Sequence, residues 1–488
     1  MAFADANRTS IRVIEETTWG TTPTAGETRE VRLTSSSLAA TKESVSSDEL
    51  RADRMVSAIT EVSAASEGDI NFEYSAGAQD EFLAAFVMGA WSRPMTRDFW
   101  KGRTISVTGV SEITVAGADV TDYLAAGRRI LLKGFTDPAN NGYFSIASVA
   151  LSGSDTLITV DETTLVVEAG SNTAKLFDAN DVVVLNDTTI EATATGFSST
   201  GTPFATAIAA GQLVVGQKIK VDGLAGVEGV YTIQSMTDAV ITTNPAPTAV
   251  VAAGTPVSIK GSMLRNPSDV SEIAQRKFTI ETAFNDIGQF LIQDGMVPGT
   301  FSLEISAGSI VTGTIGFQGR ATRLEQSTIL ADAGSYTVLT STPGEVVNAT
   351  TNVGSIQKDG EDSGAAIQSI SISGEANLRQ QSAVGSKFAR GIGAGRFGLT
   401  GSMVIYFEDE AMFTDFINHA TVSLSFPVTD LDGQTYVYTL PALKFTADEV
   451  APGGIDQDVF DNVEWEAFRD PITKCMIQID RFSPNIAD

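Results

Sequence analysis

The sequence contains few of the residues from which catalytic and metal sites are usually built. It has one histidine, His419, and one cysteine, Cys475, in 488 residues. One histidine excludes a His-rich metal site and argues against a catalytic triad that needs an imidazole base. One cysteine excludes an intramolecular disulfide framework and is compatible with assembly in a reducing compartment. We expect His419 to end a helix and Cys475 to be a small buried hydrophobe.

Basic residues and long hydrophobic runs are also scarce. The chain has 32 Lys and Arg against 60 Asp and Glu, which gives a net charge of −28. This acidic excess argues against a surface that grips phosphate, although nucleic acid can pass nearby without binding. No apolar run reaches the length of a membrane-spanning helix, and the first ten residues, MAFADANRTS, lack the features of a secretory signal.

Two patterns resemble ligand sites but lack the context that such sites need. The glycine run that begins at Gly391 (GIGAGR) has neither a preceding buried strand nor a following helix, so a loop is predicted rather than a dinucleotide fingerprint. Asp286, Asp294, Asp430 and Asp432 do not follow the ligand order of an EF-hand and are expected to be solvated turn acids. The sequence therefore predicts no catalytic, cofactor-binding or metal site.

A strand followed by a short helix is predicted for Gly68–Trp91. Ile70, Phe72 and Tyr74 alternate with polar residues, which is the period of a half-buried strand. Helical spacing then places an apolar face within Phe82–Val87, after two acids that suit the first turn of a helix. This unit is the clearest local signal in the sequence.

The same unit recurs at Gly401–His419, and the flanking strands recur in the same order. Three strands are predicted after each helix; they begin near Phe278, Asp294 and Thr314 in the first case and near Val422, Tyr438 and Val463 in the second. We interpret this order as an internal duplication whose first copy is interrupted by an insertion. The insertion has its own repeat of strands and turns, at a spacing of about 80 residues, and is expected to hang off the outside of the main body.

These patterns predict a mainly β fold with a duplicated domain, each copy carrying a short flanking helix, and two small inserted all-β domains. The predicted segments are an N-terminal arm (1–29), the first copy (30–101 and 261–325), the inserted domains (102–181 and 182–260), a connector (326–366) and the second copy (367–488). The arm is expected to be ordered only by docking on another element. The connector is expected to be extended.

Three N-terminal stretches resemble a known family. RVIEETTWGTTP from Arg12, SSSL from Ser35 and SSDELRADR from Ser46 are similar to the tail tube proteins of long-tailed bacteriophages with flexible, non-contractile tails. The resemblance covers roughly residues 1–97 and 264–482. It implies a β-sandwich or barrel, flanked by a short helix, that closes into rings stacked as a hollow tube. The insertion departs from the family's minimal pattern, so its role cannot be inherited.

The resemblance implies a structural virion protein and no enzyme or cofactor. Its partners would be other copies of the chain, a tape measure protein and a tail terminator protein, with assembly in the host cytoplasm. Phage DNA would pass through the lumen into the host without specific binding and without a membrane contact. An acidic lumen fits this role, because it repels DNA phosphates.

Three hypotheses follow for the assembled state. The duplication predicts a ring of three chains, with six chains as the competing arrangement. The polar loops Glu43–Ser57 and Ser382–Gly398, together with the N-terminal arm, are expected to contact the neighbouring ring. A loop that is merely mobile is the alternative. The basic residues assigned to this inter-ring contact are Arg51, Arg54, Lys387, Arg390 and Arg396. The insertion is expected to face outward and to be dispensable for assembly.

Two other functions remain open on the sequence alone. A surface decoration protein or adhesin would bind host glycans through the tandem inserted domains, but residues 104–260 contain no tryptophan. A polysaccharide-degrading enzyme would need two carboxylates facing each other in a groove, and no such pair is evident.

Overall fold

The computed structural model describes residues 3–93, 103–121, 123–171, 173–330, 336–339, 346–408, 410–451 and 454–486. Strands dominate these ranges, and the α-helices there have five to seven residues, which confirms the predicted mainly β fold class. Within the same ranges, no helix has the length and apolar character needed to cross a membrane.

The elements fall before, within and after the insertion. Those before it are β1 (Thr9–Glu15), β2 (Gly26–Val31), β3 (Ser35–Ser36), β4 (Ala39–Ser46), β5 (Ile59–Glu73) and α1 (Asp80–Phe86). Those within it are β6 (Ile105–Gly109), β7 (Glu112–Val115), β8 (Arg129–Lys133), β9 (Gly142–Ser152), β10 (Asp155–Val160), β11 (Glu168–Ser171), β12 (Lys175–Asp178), β13 (Val182–Asp187), β14 (Ile190–Thr193), β15 (Gly196–Ser199), α2 (Ala205–Ala209), β16 (Lys218–Asp222), β17 (Gly229–Met236), β18 (Val240–Asn244) and β19 (Val257–Lys260). Those after it are β20 (Ser262–Arg265), β21 (Phe278–Phe284), β22 (Gln289–Ser306), β23 (Thr312–Gly319), β24 (Ala321–Glu325), β25 (Tyr336–Leu339), β26 (Gln357–Lys358), β27 (Glu361–Asp362), β28 (Ile367–Glu375), β29 (Arg379–Gln380), β30 (Ile392–Gly393), β31 (Gly398–Tyr406), α3 (Ala411–Ile417), β32 (Val422–Thr429), β33 (Thr435–Ala451), β34 (Phe460–Ala467) and β35 (Gln478–Phe482).

The two copies share one pattern of strand pairing. In the first copy β5 pairs with β23, β23 with β22 and β22 with β21, all antiparallel. In the second copy the equivalent pairs are β31 with β34, β34 with β33 and β33 with β32. Gly68 and Gly401 occupy the same place in this pattern, and neither site has room for a side chain. A Cβ atom at Gly68 would lie 2.5 Å from the carbonyl oxygen of Ser37, and one at Gly401 would lie 2.1 Å from that of Ser371.

One eight-stranded sheet runs through both copies. Its strand order is β4-β5-β23-β22-β28-β31-β34-β33, with four strands from each copy. The copies meet where Thr300–Ser306 of β22 pairs with Ser369–Glu375 of β28, and we call this pairing the internal joint. The main hydrophobic core includes Phe301 and Phe317 from the first copy and Met403 and Trp465 from the second. The two copies therefore fold around one continuous core.

The long strands β22 and β33 each continue from this sheet into a second one. The N-terminal half of β22 pairs with β21 and β24, and the N-terminal half of β33 pairs with β32 and β35. A bulge marks each transition, between Pro298 and Thr300 in β22 and between Phe445 and Ala447 in β33. A bulge bends a strand and increases its twist, which lets one strand serve two sheets.

The N-terminal arm and part of the connector are docked on the same chain. β1 pairs with β21 along its whole length and buries Ile11 completely, while β25 pairs with β2 in parallel. The arm therefore docks as expected, on β21 of its own chain. Residues 331–335 and 340–345 of the connector lie outside the described residues.

The insertion forms two seven-stranded sheets and is joined to the C-terminal segment by buried polar groups. The Lys260 ammonium lies 3.4 Å from the Asp222 carboxylate and 2.9 Å from Oδ1 of Asn485. Asp222 also accepts from the Tyr143 hydroxyl and from the backbone N–H of Ile486, both at 3.0 Å. Burial lowers the pKa of Lys260 to about 8. The expectation of an outward appendage did not include this contact. Deleting the insertion would remove Lys260 and Asp222 and leave the polar groups of Asn485 and Ile486 without these partners.

The structure also shows the environments of Cys475, His419 and Asp294, for which the sequence made specific predictions. Cys475 is buried, and His419 lies at the C-terminal end of α3, immediately after the C-cap residue Asn418, as predicted for both positions. His419 has a positive φ of 52°. The expectation that Asp294 is solvated is wrong. Asp294 lies buried in β22, where it forms an ion pair with Arg323 and accepts from the Thr22 hydroxyl at 2.9 Å. An acid that looks like a turn residue in the sequence is buried here because a cation is available to pair with it.

Candidate assembly surfaces

One face of the eight-stranded sheet carries acidic side chains and short serine and threonine side chains. Its opposite face packs on the core, so side chains alternate along each strand between the core and the outside. The outward face carries serine and threonine in its central strands, for example Ser302, Ser371, Ser373 and Thr400. In the described parts of these eight strands the charged side chains on this face, from the base of the β4–β5 hairpin across to β33, are Glu67, Asp69, Glu73, Glu304, Glu375, Glu449, Glu464, Glu466 and Lys444.

This face has the wrong sign for binding phosphate. Eight of those nine charged groups are acids, and they are distributed over five of the eight strands. The sequence had shown the alternation of Asp69 and Glu73 with Ile70 and Phe72, but not that strands far apart in the chain place their acids on one surface. We call this surface the acidic face.

The β4–β5 hairpin extends beyond the core and exposes apolar side chains. Residues 42–62 are all exposed, and pairing between the two strands continues to Ser46 and Ile59. The exposed apolar residues are Val45, Leu50, Met55, Val56, Ile59 and Val62. A group of exposed apolar side chains on one hairpin indicates a contact with another molecule. The sequence analysis had described this loop by its polar residues and missed its apolar ones.

The five basic residues assigned to inter-ring contacts are all exposed. Arg51 pairs with Asp53 of its own loop at 2.6 Å, and Arg54 adopts a positive φ of 60° at the same hairpin tip. Lys387 lies 3.3 Å from Glu61 of the hairpin in the same chain.

Arg390 and Arg396 lie in the second loop with Lys387 and hold it through backbone contacts. The Arg390 N–H donates to the Gln381 carbonyl oxygen at 2.8 Å, and the Arg396 carbonyl oxygen accepts from Asn377 at 2.7 Å. The structure thus places Arg51 and Arg54 together at the hairpin tip. The other three lie in the loop that contacts the hairpin at Glu61, so the five residues do not form one patch.

A buried ion pair connects the first copy to the second. Asp80 of α1 contacts Arg481 of β35, and both side chains are almost completely buried. The Tyr436 hydroxyl donates to the same carboxylate at 3.1 Å, and the Arg481 guanidinium lies 4.6 Å from the centre of the Trp91 ring. Burial lowers the pKa of Arg481, but the interactions with Asp80, Tyr436 and Asp181 together outweigh burial and raise the pKa above its usual value. This cluster stabilises the contact between the copies rather than forming a reactive site.

Two carboxyl groups lie close together on the core side of the sheet near its β33 edge. Asp448 pairs in register with Val463, and Asp461 with Val450, so the two acids are diagonal neighbours on adjacent strands. Burial and the interaction with Asp448 raise the pKa of Asp461 to about 7. Burial also raises the pKa of Asp448. The charged form of this pair is therefore disfavoured in the folded chain.

Replacing Asp461 by asparagine is expected to stabilise the isolated chain at pH 8. An unfolded aspartate ionises near pH 4 and the folded one near pH 7, so the folded state loses stability as the pH rises through this window. Asp461→Asn removes that loss, with a gain of about 1 kcal/mol after allowance for solvent screening. Urea unfolding at pH 5 and pH 8 measures the effect, with the exposed Asp458→Asn as the control. A gain that does not grow with pH contradicts this account of the pair.

The described residues contain no group of three or more His, Cys, Asp and Glu side chains arranged to hold a metal ion. The chemistry that they offer is that of surfaces: an acidic sheet face, an apolar hairpin tip and the strand edges of the sheet.

A comparison with protein families supports the same conclusion. The family model for the phage tail tube protein matches residues 6–467, which includes both copies and the insertion between them. A comparison with curated proteins found no match.

Proposed function

Because the chain belongs to the phage tail tube protein family, we propose that it polymerises into stacked rings that form the hollow tube of a long, non-contractile phage tail. The observation that carries this proposal is the eight-stranded sheet. One face is apolar and buried and the other is acidic and exposed. The outer edges of its two terminal strands have no partner strand among the described residues. Such a sheet is a segment of a closed wall, since exposed strand edges favour pairing with another chain.

The ring is proposed to contain three chains. Each chain supplies two four-stranded segments, so three chains give six segments and a ring that resembles one of six single-domain subunits. Covalent linkage raises the effective concentration of the second segment, so half of the segment contacts form without a bimolecular step. Six chains per ring is the competing arrangement.

The acidic face is proposed to line the lumen. Three chains would bring three copies of its eight acids and one base around the channel. DNA would move past this surface without binding, because phosphate contacts need cations and the acids outnumber the single cation of this surface, Lys444. Its serine and threonine side chains are short and leave the channel open.

The hairpin tip is proposed to contact the next ring. It extends beyond the core and combines exposed apolar side chains with Arg51 and Arg54, which suits a contact between stacked copies. The loop containing Lys387, Arg390 and Arg396 is proposed to complete this contact. The N-terminal arm is left out, since β1 is used inside its own chain.

The remaining parts of the proposal concern the virion. The tube would be built in the host cytoplasm, which suits a chain with one buried cysteine. A tape measure protein would occupy the tube during assembly, and a tail terminator protein would cap its last ring. The inserted domains would face outward.

Electron microscopy of the purified chain tests the proposed function. We expect hollow tubes in negative stain, with a regular axial repeat and with a stain-filled channel. A chain that stays monomeric at high concentration and in every salt condition would contradict the proposal.

A further inference from the structure

The eight-stranded sheet has two free edges. One is the segment Ser36–Thr41, which spans β3 and the start of β4, and the other is Ala447–Val450 of β33. Each segment pairs with a strand on one side, β5 and β34 respectively. Among the described residues no strand pairs with its other side.

The duplication indicates which segments could pair with these two free edges, because the equivalent edges of the two copies pair with each other inside the chain. β22 pairs with β23 in the first copy as β33 pairs with β34 in the second copy. This pairing makes Thr300–Leu303 of β22 equivalent to Ala447–Val450 of β33. The bulges of β22 and β33 fall at the same place in this alignment, which confirms it independently. In the same way, β3 and β4 pair with β5 as β28 pairs with β31, so Ser36–Thr41 is equivalent to Ile370–Glu375. Those two segments of β22 and β28 are the ones that pair in the internal joint.

The burial of side chains supports this equivalence. Ile370, Ile372 and Gly374 are buried in the internal joint, whereas the equivalent Ser36, Leu38 and Ala40 are exposed or half-buried. A β edge that carries side chains suited to a core and leaves them uncovered lacks its partner strand.

The flanking helices show the same difference. α1 and α3 have equal lengths and the same C-terminal geometry, with a positive φ at Met88 and at His419. This alignment makes Phe86 equivalent to Ile417. Phe86 packs on Phe301 of the internal joint and is 1% exposed, whereas Ile417 is 64% exposed. The uncovered apolar side chain lies on the helix next to the uncovered edge.

We propose, building on the tube function above, that the free β33 edge of one chain pairs with the free β3–β4 edge of the next chain in the register of the internal joint. In that joint Thr300 lies opposite Glu375 and Leu303 opposite Ile372. The translated register places Ala447 opposite Thr41 of the next chain and Val450 opposite Leu38. The contact also covers Ile417. The partner is a second copy of this chain, and the contact is heterologous, as a closed ring requires.

Charge complementarity distinguishes this contact from the internal joint. Asp448 is equivalent to Phe301, which lies in the internal joint. The proposed register places Asp448 opposite Ala40 of the next chain. Lys42 of the next chain lies two residues away on the same strand face, within reach of a diagonal cross-strand pair. Within its own chain the Lys42 ammonium lies 3.5 Å from Glu61. The contact between chains therefore offers a cation to the acid pair of Asp448 and Asp461.

Cysteine cross-linking tests the register. Thr41→Cys with Ala447→Cys places two thiols opposite each other only between chains, because six strands separate these edges within one chain. The matched control is Ser37→Cys with Ala447→Cys, which is displaced by four residues, or about 13 Å. Disulfides need Cβ atoms about 4 Å apart, so the control should not form them. The native Cys475 is buried, and wild-type tubes give the background.

We expect oxidised tubes of the Thr41/Ala447 variant to give covalent oligomers in at least tenfold higher yield than the control. Tubes that form normally but cross-link equally in both variants, or only in the control, would overturn the proposed register and leave the tube function standing. Failure of the wild-type chain to assemble would overturn both.

Discussion

Replacing Arg481 by methionine is expected to lower the free energy of unfolding by about 3–5 kcal/mol. The change leaves the Asp80 carboxylate buried without its cation, and Asp80 is almost fully removed from solvent. The Tyr436 hydroxyl would remain as a hydrogen-bond donor, but it is neutral and cannot replace the charge. Methionine also loses the contact of the guanidinium with the Trp91 ring. Since the pair joins α1 to β35, the effect reports on the contact between the two copies.

Urea unfolding at neutral pH measures this loss, and two variants serve as controls. Lys387→Met breaks an exposed pair with Glu61 and is expected to leave the free energy of unfolding almost unchanged. Asp80→Asn combined with Arg481→Met is expected to recover part of the loss, because no buried charge is left unpaired. An Arg481→Met chain within about 1 kcal/mol of the wild type would show that the buried pair does not hold the copies together.

Reversing the two charges at the hairpin tip, Arg51→Glu with Arg54→Glu, is expected to raise the critical concentration for tube growth several-fold. An exposed pair contributes little by itself, but every chain brings two of these cations to the contact between rings. Arg51 is now paired within its own loop, so the reversal also places acids beside Asp53 and Glu49. The tip is fully exposed and carries no core residue, so the fold should be unchanged.

Light scattering against protein concentration gives the critical concentration, and circular dichroism checks the fold. Arg51→Lys with Arg54→Lys keeps the charge and is expected to assemble nearly as the wild type does. Raising the salt concentration should weaken wild-type growth in the same direction. Wild-type growth by the charge-reversed chain would contradict a role of these residues between rings.

The parts of the fold that depend on local sequence could be predicted. The strand and helix of Gly68–Trp91 and their recurrence at Gly401–His419 follow from side-chain periods of two and 3.6 residues, which neighbours in the chain determine. The duplication followed from the order of these units, even though few residues are identical.

The features that depend on distant partners could not be predicted. In the internal joint Thr300–Ser306 pairs with Ser369–Glu375, and no local sequence feature of either segment identifies the other as its partner. Buried charges were missed for the same reason. Asp294 was expected to be solvated, and no burial was predicted for Lys260. Only the fold supplies the Arg323 and Asp222 with which they pair.

The candidate surfaces were predicted in part. The long hairpin loop and its basic residues were recognised from their composition, but its exposed apolar residues and its strand pairing up to Ser46 were not. The acidic face needed the sheet order, because its acids come from five strands that are widely separated in the chain.

Reconstruction of isolated tubes by cryo-electron microscopy tests the central claim most directly. The account predicts three chains in each ring, a continuous wall of strands with the acidic face toward the channel, and β33 of each chain beside β4 of the next. Six chains per ring, or a channel lined by the opposite face or by the inserted domains, would contradict it.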